Sequence, residues 1–230
     1  MLVPDTFLWG SRKFPLETIA ETDPSVHDIL EQWQKGEHTS EMIARYHTAA
    51  ALHEHLVEKY CHLLGTTLAG VVNYEDRVAV NYLGSRKDVR ADAIGCVGLS
   101  GGGCRSSLLQ ATCDHIRAAV VVGMMCTFEH LLDHNVVTHT WMALPWGWAR
   151  YGDWTDLTAC RAPSPLMVQY DEEDPLFPIE GMRAAHRRLS AHYRRVGAPK
   201  NYVGEFYPGG HKFDLEMQRS AFAWLKKQLG

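Results

Sequence analysis

The chain lacks several patterns that would announce a function. It has no Cys-x-x-Cys pair. Its cysteines, Cys61, Cys96, Cys104, Cys113, Cys126 and Cys160, are scattered, and several sit in apolar runs. That spacing excludes a zinc ribbon or a redox dithiol; reduced cysteines in such runs act as small hydrophobes. There is no basic tail and the formal net charge is −4, so nucleic acid is not an expected partner. No apolar run approaches the roughly 20 residues of a membrane span. Met1 to Gly10 carries an acid and no basic stretch, so no signal peptide is expected and a reducing cytoplasm is the expected compartment. No glycine-rich loop ends in Lys-Ser or Lys-Thr, and no second G-x-G follows, so neither nucleotide-binding pattern is complete. Repeats, low-complexity tracts and a second-domain linker are also missing.

What is present is an ordinary globular composition: 230 residues, 46% hydrophobic and 22% charged. It predicts one domain over residues 1–230. Leu2-Val3-Pro4 reads as the end of a strand. A polar, irregular region follows, with helix starts near Pro24-Ser25 and Thr39-Ser40. Glu41 to Leu64 reads as a long helix whose buried stripe is Met42, Ile43, Tyr46, Ala50, Leu56, Val57 and Tyr60, with Gly65 at its C-terminal cap. Thr67 to Leu83 reads as a second helix. Ala118 to Met124 is a wholly apolar strand, as in a parallel sheet buried on both faces. Gly181 to Val196 reads as a helix with Met182, Ala185, Leu189 and Val196 inward. Its Arg183, Arg187, Arg188, Arg194 and Arg195 point outward as a solvated face. Leu215 to Leu229 closes the chain as a helix with Phe222, Leu225 and Leu229 on its core side. The alternation of strand and helix predicts an α/β fold, a mostly parallel sheet flanked by helices.

The chemistry centres on Gly98-Leu99-Ser100-Gly101-Gly102, a G-x-S-x-G pattern between the apolar run Ala93 to Val97 and a helix expected over Cys104 to Thr112. In a strand, tight turn and helix, this pattern exposes a serine above the sheet at a helix N-terminus. The flanking glycines avoid collision with the neighbouring strand or helix. The N–H of Gly101 would then stabilise an oxyanion beside Ser100. A phosphate-binding or merely structural turn is the bland alternative.

A serine nucleophile needs an acid and a histidine, here in the order Ser, acid, His. Pro165 to Tyr170 reads as a strand running into Asp171, Glu172, Glu173 and Asp174. Asp174 is favoured because Pro175 and Pro178 would fix its loop; Asp171 is the runner-up. His211 follows the strand Tyr202 to Tyr207 on a Pro-Gly-Gly loop before the last helix. The imidazole would take the Ser100 proton and Asp174 would hold its tautomer.

An aromatic-rich insert over about residues 127–158 carries Phe128, Trp141, Trp146, Trp148, Tyr151 and Trp154. Loops at this point of an open α/β sheet line the ligand crevice, so the insert reads either as a pocket wall or lid, with Trp141, Trp146 and Met124 as candidate pocket residues, or as a mini-core under a long loop. His130 and His134 have the i, i+4 spacing of zinc ligands, with Asp133 between them, but no third ligand stands out; no metal and no cofactor are expected.

The ordered set Gly98-Leu99-Ser100-Gly101-Gly102, Asp174 and His211 resembles the α/β-hydrolase superfamily. The stretches Cys96 to Ser106, Ile116 to Met125, Pro165 to Gly181 and Phe206 to Leu225 resemble its bacterial acetyl-xylan-esterase-like and dienelactone-hydrolase-like members. The resemblance implies a serine carboxylesterase acting on a small-molecule ester, with Ser100, Asp174 and His211 as triad. Dienelactone hydrolases use a cysteine nucleophile, so serine favours an esterase. The family's first strands and the His-Gly-type loop that gives a second oxyanion N–H have no counterpart before Leu2, an N-terminally truncated version of the fold. The expected consequences are a shortened gene product, pairing of the Leu2-Val3-Pro4 stub with the elbow strand, or completion of the sheet by another chain, a homo-oligomer included. A prolyl-oligopeptidase-type peptidase and an inactive remnant or binding module of the same fold are the alternative functions.

Overall fold

The computed structural model describes all residues except 23–25, 37, 38 and 133. Two compact units are resolved, Met1–Val72 and Asn73–Gly230. Among the described residues no helix is long and apolar enough to cross a membrane.

The first unit is helical. It contains α1 (Leu16–Thr22), α2 (His27–Gln34), α3 (Ser40–Leu63) and the start of α4 (Leu68–Ser85). The helix start at Pro24-Ser25 lies outside the described residues; the start at Thr39-Ser40 is where α3 begins. Thr39 caps α3 through its hydroxyl, which accepts from the Met42 N–H at 3.2 Å. The helix ends in a Schellman turn. Thr66 N donates to Cys61 O at 2.8 Å and Gly65 N to His62 O at 3.1 Å, with Gly65 at φ +76°. Ile19, Ala20, Val26, Met42, Tyr46, Ala49 and Ala50 form the core of this unit. The buried stripe of α3 is rotated from the one expected. Ile43 and Tyr60 are exposed, while His53, Glu54 and Glu58 are buried. Glu58 has a task there: its Oε2 accepts the first N–H of α4, from Leu68, at 2.6 Å. A polar residue that caps another helix is invisible to a reading of hydrophobic periodicity.

The second unit is an all-parallel sheet in the order β1 (Ile94–Leu99), β2 (Ile116–Val122), β3 (Leu166–Asp171), β4 (Tyr202–Tyr207). Neighbours in space are neighbours in sequence. Each connection therefore carries a crossover: α5 (Gly101–Thr112) after β1, the insert with α6 (Phe128–Leu131) and α7 (Trp154–Ala159) after β2, and α8 (Ile179–Arg195) after β3. The last helix is α9 (Leu215–Leu229). Ala118, Val120 and Val122 pack with Met167 against Met217, Ala221 and Leu225 of α9. Ala119 and Val121 are also fully buried and, by strand alternation, face the other side. Burial on both faces is why β2 is continuously apolar from Ala118 to Val122, after the exposed Arg117. It stops at Gly123, whose φ of +57° breaks the extended backbone.

Two side chains expected inside, Val196 and Phe222, are exposed. Val196 lies past the end of α8, whose chain turns away through a Schellman motif at Gly197 (Ala198 N to Tyr193 O, 2.9 Å). On α9 the buried face is centred on Met217, Ala221 and Leu225, a spacing of i, i+4 that leaves Phe222 at the flank. Leu2-Val3-Pro4 forms no strand, and Val3 is exposed. The expected pairing of that stub with the elbow strand is thus not found.

The elbow helix is anchored from beneath. Arg105 of α5 makes a bidentate ion pair with Asp76 of α4, Nε to Oδ2 at 2.8 Å and an Nη to Oδ1 at 2.6 Å. Asp76 is buried. Arg105→Ala would leave that carboxylate uncompensated, and breaking a buried pair costs about 3 kcal/mol or more. Urea unfolding of the full chain is expected to show a loss of that size.

Candidate active site

Parallel strands all present their C-terminal ends at one edge of a sheet. In this unit Ser100 follows β1, Gly123 follows β2, Asp171 and Asp174 follow β3, and His211 follows β4. The fold thus gathers the sequence candidates at one edge, where open α/β sheets bind ligands.

Ser100 sits between β1 and α5 with φ +58° and ψ −119°, a left-handed backbone rarely adopted by a non-glycine residue. Its N–H donates to Val122 O at 2.9 Å and its C=O accepts from Cys104 N at 3.0 Å, so both sides of the strained residue are tied down. Its hydroxyl caps no backbone N–H of α5 and is not consumed by the helix. The first N–H groups of α5, Gly101 included, have no acceptor within the helix.

The glycines divide the work differently from expectation. A Cβ on Gly98 would collide with the backbone of Gly102, and one on Gly103 would meet Val122 O at 2.9 Å and Met124 Cγ at 2.6 Å. Gly102, the last glycine of the motif, has nothing within 4 Å of its Cβ position. It is the main chain of Gly102, not a need for an absent side chain there, that makes Gly98 obligatory. Gly98→Ala is expected to cost about 3 kcal/mol or more, because the atoms in the way are main chain of Gly102 and cannot rotate aside as a side chain would. Gly102→Ala is expected to be neutral or to stabilise by up to ~1 kcal/mol through helix propensity. Paired denaturation curves distinguish the two.

Asp174 and His211 meet. Nδ1 of His211 and Oδ2 of Asp174 are 2.6 Å apart, and Asp174 Oδ1 accepts from Leu176 N at 2.8 Å. The acid loop is fixed to β4 and the histidine loop by Glu172 N to Tyr207 O (2.9 Å) and Glu173 N to Gly209 O (3.0 Å). The hydrogen bond to Asp174, and then the charges of Asp174 and Asp171, raise the pKa of His211 above the ordinary 6.5 against the opposing effect of burial. Glu172 and Glu173 are exposed, and Glu172 lies 3.6 Å from Arg183, so neither faces the histidine. Asp171, the runner-up acid, is wholly buried beside the pair. Among the described residues no hydrogen bond joins Ser100 Oγ to His211. In unliganded sites such contacts are often long and tighten with substrate.

The candidate pocket residues differ in burial. Met124 is buried and packs against Gly103 and near Ser107 Oγ, beneath the elbow helix. Trp146 is 75% exposed and Trp141 half-buried. Met142 also approaches the elbow: its Cε lies 3.3 Å from the Cβ position of Gly101. Sequence reading passed over it, because a methionine among tryptophans carries no motif. Phe177, likewise without a motif, was missed, and His139 stood out only as one of the insert's histidines. The Phe177 ring lies 6.4 Å from the His211 ring and 4.9 Å from that of His139, and burial lowers the pKa of His139.

The insert is held by Asp153. This residue caps α7 with a reciprocal bond from Asp156, accepts from Phe128 N at 3.1 Å and pairs with Arg188 of α8 at 2.9 Å. His130 and His134, considered as zinc ligands, are engaged separately, with Thr127 Oγ1 (2.7 Å) and with Pro175 O (3.1 Å); Asp133 between them lies outside the described residues. Among the described residues, ligand atoms of Asp171, Asp174 and His211 lie within 4.8 Å of one another. A cation could share such a space, but the Nδ1–Oδ2 hydrogen bond accounts for the closeness of its two members without one.

Comparison with known proteins agrees with this architecture. No protein-family model matches the chain. It is 27% identical over 170 residues to "Putative hydrolase YtaP" of Bacillus subtilis (strain 168), covering 73% of this chain and 56% of that protein. A glucuronoyl esterase from Solibacter usitatus superposes with TM-score 0.61 at 16% identity, over 72% of this chain and 50% of its own. A structure titled "putative acetyl xylan esterase" from Bacteroides fragilis gives TM-score 0.58 at 20% identity, over 71% of this chain and 42% of its own. The chain spans about half the length of these relatives. The fold shared with these structures is the α/β-hydrolase fold.

Proposed function

We propose that the chain is a serine hydrolase that cleaves carboxylic esters through an acyl-enzyme on Ser100. The observation that carries this reading is the 2.6 Å bond between His211 Nδ1 and Asp174 Oδ2, at the same sheet edge as a strained elbow serine. With Nδ1–H donated to the carboxylate, the neutral ring leaves Nε2 as its free base. In this reading Nε2 takes the Ser100 Oγ proton as Oγ attacks the ester carbonyl, and the Gly101 N–H stabilises the oxyanion. The protonated ring gives its proton to the departing alcohol, and a water repeats the sequence to release the acid. A base works only when neutral, so activity should rise with pH through the elevated pKa of His211. The chemistry calls on no cofactor and no metal.

The names of the relatives extend the reading to substrates: glucuronoyl and acetyl xylan esterases suggest an ester carried on a carbohydrate. Turnover of acetylated sugars and of glucuronate esters, compared with a simple aryl acetate, tests that extension. A preference for neither sugar ester would remove it and leave the ester hydrolase. The peptidase alternative is favoured by no observation in this site.

A further inference from the structure

One buried acid takes no part in the chemistry described so far. Asp171 closes β3 and its side chain is wholly buried. Oδ2 accepts from the N–H of Lys212, the residue immediately after His211, at 3.2 Å. Oδ1 is buried and has no hydrogen-bond partner among the described residues. A Cβ at Gly123 would meet Asp171 Oδ2 at 3.1 Å and His211 Cε1 at 3.3 Å, so the carboxyl and the Cε1 edge of the ring border the same small space. A buried carboxyl with an open acceptor is costly to the fold. An asparagine would keep the bond to Lys212 without burying a charge, so structure alone does not call for an acid.

We propose that Asp171 is a positioning residue for His211, a second carboxylate that anchors the histidine loop through the Lys212 amide and stabilises the imidazolium, while Asp174 fixes the tautomer. The proposal rests on the hydrolase reading of this site. The charged and titratable groups around the ring are few. Asp174 comes from the loop after β3 and Asp171 from the end of β3. Lys212 lies on the histidine's own loop, with its ammonium paired to Asp214 at 2.8 Å, and His139 comes from the insert. Burial, the leading cause, pushes the Asp171 carboxyl up to about 6, so it is ionised at about pH 8. His139, lowered by its own burial, is neutral there. Among the described residues, the negative charge that acts on the ring besides Asp174 is then Asp171.

The test uses the full chain and the variants Asp171→Asn and Asp171→Ser, both of which keep an acceptor for Lys212. NMR titration of the ring, with the His211 signal identified by its loss in His211→Gln, reads the coupling without any turnover. Labelling by a fluorophosphonate at about pH 8 reads the reactivity. Loss of one facing charge is expected to lower the His211 midpoint by about one unit and to slow labelling about tenfold. An unchanged midpoint and unchanged labelling in a folded variant would overturn the proposal. A lowered midpoint in a chain whose wild type takes no label would instead contradict the hydrolase reading and leave the coupling standing.

Discussion

Ser100→Ala will reduce turnover of a small activated ester by at least about a thousandfold. The size follows from the chemistry. Without Oγ there is no acyl-enzyme, and what remains is the contribution of binding and the oxyanion site. The substitution removes a half-buried hydroxyl that caps nothing in α5, so its structural cost is confined to the backbone. The φ of +58° is no easier for alanine than for serine. The variant should therefore unfold at nearly the same denaturant concentration as the wild type while retaining only that residual turnover. Undiminished turnover would remove Ser100 from the mechanism.

Asp174→Asn will cost almost as much, on the order of ten-thousandfold in kcat, and for a different reason. Asp174 Oδ2 accepts from Nδ1–H of His211 at 2.6 Å, and its Oδ1 already holds Leu176 N at 2.8 Å. An asparagine that keeps its oxygen on Leu176 turns its NH2 group toward the ring. The ring answers with the other tautomer, protonated on Nε2, and a protonated Nε2 cannot take the serine proton. The loss should fall on kcat, since the acid does not contact substrate. Asp171 limits the damage to charge: it still faces the imidazolium, but it does not correct the tautomer. The double variant Asp171→Asn, Asp174→Asn should therefore fall below the single one. A single variant with near-wild-type kcat would exclude Asp174 as the partner acid.

Much of the sheet-bearing unit was legible in the sequence because its physics is local. The wholly apolar run from Ala118 reads as a strand buried on two faces, and Pro165 and the Pro-Gly-Gly loop mark boundaries that proline and glycine impose directly; the end of β2 at Gly123 was not legible, since the reading carried that strand on to Met124. Asp174 and His211 were legible for the same reason, each lying where a strand ends and a constrained loop begins. What was not legible depends on contacts between distant segments. The burial of Glu58 follows from the N–H of Leu68 that it caps, and the exposure of Ile43 and Tyr60 follows with it. Gly98 is required by the main chain of Gly102, a relation that the motif's spacing hides by making both look equivalent. Met142, Phe177 and His139 reach the site from elements with no pattern of their own. Leu2-Val3-Pro4 resembled a strand by composition, but composition alone does not make one, and these residues take no strand conformation.

The proposed activity is tested most directly by intact-mass analysis of the purified chain after exposure to a fluorophosphonate, with Ser100→Ala alongside. The reagent reacts only where a serine is activated by a base and the developing charge on oxygen is stabilised, so it reports the whole constellation without a choice of substrate. The account predicts a single adduct on the wild-type chain and none on the variant. A folded wild-type chain that takes no adduct, or a variant that takes the same one, would contradict it.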